Sequence, residues 1–129
     1  MLTEIATYLE TAGCGTVGVD LFLGDLPDAP VAAASLVEYG GLPPQRTFGT
    51  VAWEQPRVQV LVRDAAYFAA RERAERIYRA LVAVANTTLS GTRYFSVTAT
   101  PPSILERDEH DRPILTIRAN VTKALSVLP

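Results

Sequence analysis

One cysteine, one histidine, one methionine and one tryptophan are spread over 129 residues, and each scarcity closes off a chemistry. Cys14 has no partner for an internal disulfide, which fits a reducing compartment. It also lacks a nearby base, because His110, the single histidine, lies almost a hundred residues further on in a charged turn. Spacings such as G-x-S-x-G, H-E-x-x-H, a Walker loop or C-x-x-C do not occur. No acid–base pair or nucleophile–base set stands at a usable spacing, so the expectation is no catalytic residue, no cofactor and no metal. Basic residues are not in excess: 12 Lys and Arg face 14 Asp and Glu, for a net charge of −2 and a pI near 5.3. A nucleic-acid gripping surface built on bulk charge is thereby excluded. No apolar run approaches the ~18 residues that would span a bilayer, so no membrane partner is expected. Met1-Leu2-Thr3-Glu4 lacks the basic start of a signal peptide, and synthesis in a cytoplasm is the expectation.

What is present is core material. Hydrophobic residues make up 48% of the chain, which is not a disordered composition. A chain of this length buries about 65–70% of its unfolded surface, enough for one domain over residues 1–129. The organising stretch runs from Glu54 to Asn86. Val58, Val60 and Val62 alternate with Gln59, Leu61 and Arg63 and predict a strand. After Asp64, placed as the N-cap, a long helix carries Tyr67, Ala70, Ala74, Ile77, Tyr78, Leu81 and Val84 on one stripe. The other face carries Arg71, Glu72, Arg73, Glu75, Arg76 and Arg79, with Glu72–Arg76 and Glu75–Arg79 at the favourable i,i+4 spacing.

Around this stretch, residues 2–12 predict a short amphipathic helix ended by Gly13 and Gly15. Val17–Leu23 and Ala32–Tyr39 read as strands, and Gly40–Gln55 as a long irregular loop holding Gly40-Gly41 and Pro43-Pro44. Thr87–Thr92 reads as a turn, Arg93–Thr100 as a strand with Phe95, Val97 and Ala99 on one side, Glu106–Pro113 as a charged turn and Ile114–Thr122 as the closing strand. The expected fold is α+β, in the order α-β-β-β-α-β-β: a small mixed, mainly antiparallel sheet covered by one long helix and a short N-terminal one.

Several motifs have bland readings that outweigh the sharp ones. Gly13-Cys14-Gly15-Thr16-Val17-Gly18 matches G-x-G-x-x-G, but it follows a helix and leads into a strand, the reverse of the dinucleotide context. His110 among Glu106, Asp108, Glu109 and Asp111 lacks a metal-ligand spacing and reads as a solvated hairpin tip. Phe48 and Trp53, on the Pro/Gly-rich segment, suit either core or interface. The interleaved charges of the long helix suit a solvated or intersubunit salt-bridged face rather than a phosphate site.

The run Trp53-Glu54-Gln55-Pro56-Arg57-Val58-Gln59-Val60-Leu61-Val62-Arg63-Asp64, followed by Tyr67, Ala70, Ile77 and Leu81, resembles the small minor capsid or tail terminator proteins of long-tailed bacteriophages. Asp108-Glu109-His110-Asp111-Arg112-Pro113 and the strand after it are similar to that group's closing segment. The likeness covers the whole chain in element order and specific residues from about 53 to 122, while Gly40–Ala52 matches no motif of the group. It implies a structural virion protein, at work in the phage tail or neck. Such a protein forms a homo-oligomeric ring, hexameric when assembled, that caps the tail tube and joins it to the head. The implied partners are the tail-tube protein and head-completion or connector proteins, with DNA passing through unheld. Candidate interface residues are Arg46, Phe48, Trp53, Arg63, Glu72, Arg76 and Arg79. Two alternatives stand beside this: a head–tail stopper or adaptor, and a small ligand-binding domain or enzyme with its pocket under residues 40–55.

Overall fold

The computed structural model describes residues 1–46 and 52–124. Among these the order is α1 (Leu2–Thr11), β1 (Leu21–Leu23), β2 (Ala33–Arg46), β3 (Ala52–Arg63), α2 (Tyr67–Val82), β4 (Ala85–Leu89), β5 (Thr92–Ala99), β6 (Ser103–Arg107) and β7 (Pro113–Ala124). The strands form one mixed sheet in the order β1-β2-β3-β7-β5-β4, with β6 beside the start of β7. Only β1–β2 is parallel; the remaining pairings are antiparallel. The α+β class and the mainly antiparallel sheet follow the sequence reading, and two strands are added to it.

Each difference from the sequence reading has a local cause. β4 occupies part of the expected turn, because Ser90-Gly91 alone reverses the chain, with φ of 48° and 86°. Two consecutive positive φ values make the tight hairpin whose twist matches its strands, and Leu89 then pairs Thr92 directly. The helix accordingly stops at Val82, short of Asn86. β6 pairs Arg107 with Pro113 and Ile104 with Leu115, so the charged turn is shorter than its charges suggest. The supposed loop 40–55 is mostly hairpin: β2 reaches Arg46 and β3 starts at Ala52. Register shifts between Glu38 and Gly41 and between Leu42 and Gln45 absorb the glycine and proline pairs. β1 covers β2 only from Ala34 to Leu36, so the prolines sit where β2 is an edge strand. Before β1, Val17–Asp20 is a turn rather than strand: the Thr16 carbonyl accepts N–H groups of Val19, Asp20 and Leu21, and the Asp20 carboxylate accepts that of Thr16 at 2.7 Å.

Both helices lie on one face of the sheet. Val58, Val60 and Val62 of β3 pair with Ala119, Ile117 and Leu115 of β7 and are buried there with Ile5, Leu9, Leu36, Ile77 and Leu81. In β5 a register shift between Tyr94 and Ser96 breaks the alternation, so Tyr94 and Val97 enter the core and Phe95 is only half-buried. The expected inward set of Phe95, Val97 and Ala99 is corrected by that bulge. α1 ends at Ala12 with Gly13 at φ 82°, and the N–H groups of Gly13 and Cys14 bond back to the carbonyls of Glu10 and Leu9. That paired closure is the Schellman arrangement of a helix stop, which accounts for the first glycine of the apparent nucleotide motif.

Candidate functional site

Three surfaces of this frame carry the residues singled out above. The first is the hairpin arm of β2 and β3. Trp53 lies half-buried near its end, opposite Gln45 on β2 and Ala124 on β7. One residue on, Glu54 forms an ion pair with Lys123, whose ammonium is almost fully buried. The same end of the sheet holds Tyr94, which donates to Glu4 at 2.8 Å, while Thr92 donates to the other Glu4 oxygen. Burial, and then the adjoining Glu4 carboxylate, push the Tyr94 phenol far above its ordinary pKa. The base of the arm is thus tied to α1 and β5 by charged and polar groups with partners. Arg46 pairs Ala52 across the arm in backbone register, and Phe48 lies outside the described residues.

The second surface is the outer ridge of α2, where Glu72, Arg76 and Arg79 are exposed. The ion pair formed on this helix is Arg71–Glu75 at 3.1 Å, in place of the two pairs read from spacing. Arg71 also donates to the Pro102 carbonyl at 3.1 Å, so one flank of α2 is held against the approach to β6. Arg73, placed on the solvated face by sequence, turns to the other flank and is 7% exposed. There it donates to the carbonyls of Cys14 (3.3 Å) and Asp20 (2.9 Å) and lies 3.6 Å from the Asp20 carboxylate. A Cβ at Gly15 would stand 2.7 Å from its guanidinium, so glycine is what lets the arginine in. The cleft beside it, about 340 Å³, is lined by Cys14, Asp20, Glu72, Arg73 and Arg76. Burial pushes the Cys14 thiol up, against the opposing pull of Arg76 and Arg73, which disfavours the thiolate.

Phe68 opens the same ridge, 82% exposed, and meets the ring of its neighbour Tyr67 edge-on at 5.5 Å. Sequence reasoning passed over it. The signal was available: a large aromatic falls one position off the apolar stripe, among charges.

The third surface is the sheet face opposite the helices. Arg63, a candidate contact residue, is 3% exposed here. Its guanidinium donates to the carbonyls of Pro27 (2.5 Å), Pro30 (2.7 Å) and Val31 (3.1 Å) and fastens residues 27–31 across one end of the face. Arg63 is therefore used within the chain: it lies on the face opposite the valines, as alternation placed it, and the segment folded over it buries it there. At the same end Arg112 bridges Asp28 (2.7 Å) and Asp108 (2.6 Å). Asp28, Glu109 and His110 bring ligand atoms within 4.8 Å of one another, all exposed. Arg112 already occupies the Asp28 carboxylate, so the cluster is an ion-pair network joining this segment to the β6–β7 turn.

Residues 8–125 match the family model described as "Bacteriophage tail terminator protein". The chain belongs to that family. It is a structural phage protein of the tail and neck, and its place is the virion. Among solved structures, a chain from the virion of a native gene transfer agent particle is 18% identical, covering 94% of this chain and 84% of that one at TM-score 0.52. At that identity the likeness shows the fold alone. Another solved chain is 12% identical over 99% of this chain and 96% of its own, at TM-score 0.48. No curated protein matches the sequence. Among the described residues no helix is long and apolar enough to cross a membrane.

Proposed function

We propose that this tail terminator acts as one domain that closes into a ring, six-fold when assembled, ending the tail tube and presenting a surface to head-completion proteins. DNA passes through the ring, and the chain performs no covalent chemistry. The observation that carries this reading, beyond family membership, is Phe68: a side chain 82% exposed on a ridge of alternating charge. An aromatic so placed costs solubility in a monomer and serves as an anchor when a neighbour covers it. Among the described residues, strand edges without a partner lie at opposite sides of the sheet, on β2 beyond Leu36 and on β4. Head-to-tail contacts between unlike edges are the kind that close into rings. Trp53, Glu72, Arg76 and Arg79 supply further contact material, with Arg46 at the described end of β2; Phe48, a further candidate, lies outside the described residues.

Electron microscopy of the protein mixed with assembled tail tubes tests this. Rings seated at tube ends are expected. A strict monomer in sedimentation that leaves tube ends bare rejects the reading.

A further inference from the structure

Six of the eight large apolar side chains exposed among the described residues gather at two opposite edges of the sheet. One row across the sheet fixes those edges: Leu21 of β1, Ala34 of β2, Val62 of β3, Leu115 of β7 and Ile104 of β6 are successive register partners. At this level β1 and β6 are the outermost strands, about 19 Å apart. Leu21, Ala34, Val62 and Leu115 are buried in the core under the helices. Directly paired residues share a face, so Ile104 carries the same apolar layer on to the β6 edge, where it is 51% exposed with Leu105 exposed beside it. At the other edge Leu23, two residues from Leu21, also faces the helix side and is exposed. Val17 and Val19 (62% exposed) stand next to it on the turn before β1. Phe68 belongs to the β6 edge. It precedes Arg71 by about 60° around the helix and is turned about 140° from Arg73. Arg71 reaches Pro102, which leads into β6, whereas Arg73 reaches Cys14 and Asp20 beside β1. The core layer thus runs out uncovered at both edges.

Charge is divided between the same edges. Residues 1–45, which include β1 and nearly all of β2, contain acidic residues and no lysine or arginine; all 12 basic residues fall from Arg46 onward. At the edge of β1 and β2, Asp25 and Glu38 are exposed and, among the described residues, form no ion pair. The β6 edge carries Glu106 and Arg107 together, and Arg76 and Arg79 lie on the ridge that Phe68 opens. A two-fold contact of β1 with β1 would set acid against acid, whereas β1 against β6 sets the acids against arginines. Backbone pairing narrows the mode of contact. Gly18 donates to the Leu21 carbonyl at 2.9 Å, so the turn blocks strand addition at β1 and leaves side chains to make the contact. β4, the other strand on the β6 side, exposes Ala85, Asn86 and Thr88 and offers no large apolar anchor.

We infer that one copy packs its β1 edge (Val17, Val19, Leu23) against the β6 edge of the next (Phe68, Ile104, Leu105), so that a single apolar layer runs from subunit to subunit. The inference rests on the proposed ring and names its contact surfaces. A second copy is the occupant because each edge supplies what the other lacks: an acidic side with small branched side chains, and an arginine-bearing side with an aromatic anchor. A foreign partner would cover one edge and leave the other in water. Both edges lie on one row of the sheet, so each copy meets one neighbour on either side at the same level, which lets a head-to-tail contact repeat until it closes.

The test places one unfavourable charge on each edge of the full chain, as Val19→Lys and Ile104→Glu. Urea midpoints near the native value are expected, since both side chains are already half or more in water. Each variant alone should cap about tenfold fewer tail-tube ends in electron micrographs. Val31→Lys, exposed but held with residues 27–31 over the far face, should cap as the native chain does. Mixed in equal amounts, the two edge variants should form 1:1 dimers in sedimentation at concentrations where the native chain self-associates, because each keeps one intact edge. Native-level capping by either edge variant, equal loss in Val31→Lys, homodimers of one edge variant, or absence of the mixed dimer overturns the inference. Should an edge variant lose its fold, Val19→Thr or Ile104→Thr takes its place under the same criteria. Native rings with unaffected edge variants reject these surfaces and leave the ring standing; absence of native rings rejects the ring and this pairing together.

Discussion

Tyr94 shows how one side chain can carry both packing and charge. Its ring is fully buried, and its hydroxyl donates to Glu4 on α1. Burial and the Glu4 carboxylate both disfavour the phenolate, so the folded pKa lies above the unfolded value. The sign follows. Below the ordinary tyrosine value of ~10 both states hold the proton and the contribution to stability is complete. Above it the unfolded chain ionises first, and stability is lost as pH rises toward the folded pKa. Tyr94→Phe should lose about 1 kcal/mol near neutral pH from the missing hydrogen bond, yet resist alkaline unfolding better than the native chain. Chemical denaturation across pH 8–11 checks this. Equal alkaline sensitivity in both proteins would assign the effect to another group.

At the scale of elements, the organising device is the long arginine that reaches from a strand or helix to loop carbonyls. Arg63 holds residues 27–31 over the sheet, and Arg73 holds the Cys14–Asp20 turn against α2. Each satisfies backbone carbonyls that irregular segments leave without partners. Arg63→Met keeps much of the apolar stem but strands three carbonyl acceptors. A loss of about 2–3 kcal/mol is expected, with amide exchange accelerated first in residues 27–31. Unfolding in urea with site-resolved exchange measures both. An unchanged midpoint would show that the segment is held by other contacts. The sequence signalled these roles poorly, because alternation places Arg63 and Arg73 on outward faces. An outward side chain becomes a buried one only when a segment remote in the chain folds over it.

For the whole molecule, the surface divides into an arm, a charged ridge headed by Phe68, and the sheet face away from the helices. Phe68→Ser should alter unfolding stability by no more than about 0.5 kcal/mol, since the ring is already in water. Its effect should fall on assembly, read as loss of rings or of tube-end binding. Unimpaired assembly by a well-folded Phe68→Ser protein would remove the anchor role. A stability loss above 1 kcal/mol would instead place Phe68 in the monomer's packing.

Much of the frame was written in local pattern. The alternation at Val58–Val62, the helical stripe from Tyr67 to Leu81 and the Gly13 stop are short-range effects of side-chain periodicity and backbone freedom. They determined the long helix, the central strands and the α+β class, and the residues that resemble tail terminators lie within them. Only the tertiary structure decided the rest: the bulge that sends Tyr94 inward in place of Phe95, and the burial of Arg63 and Arg73. These depend on which distant strands become neighbours and which segments cover them. Periodicity places a residue on a face, whereas burial and charge pairing are set by what the remainder of the chain brings to that face.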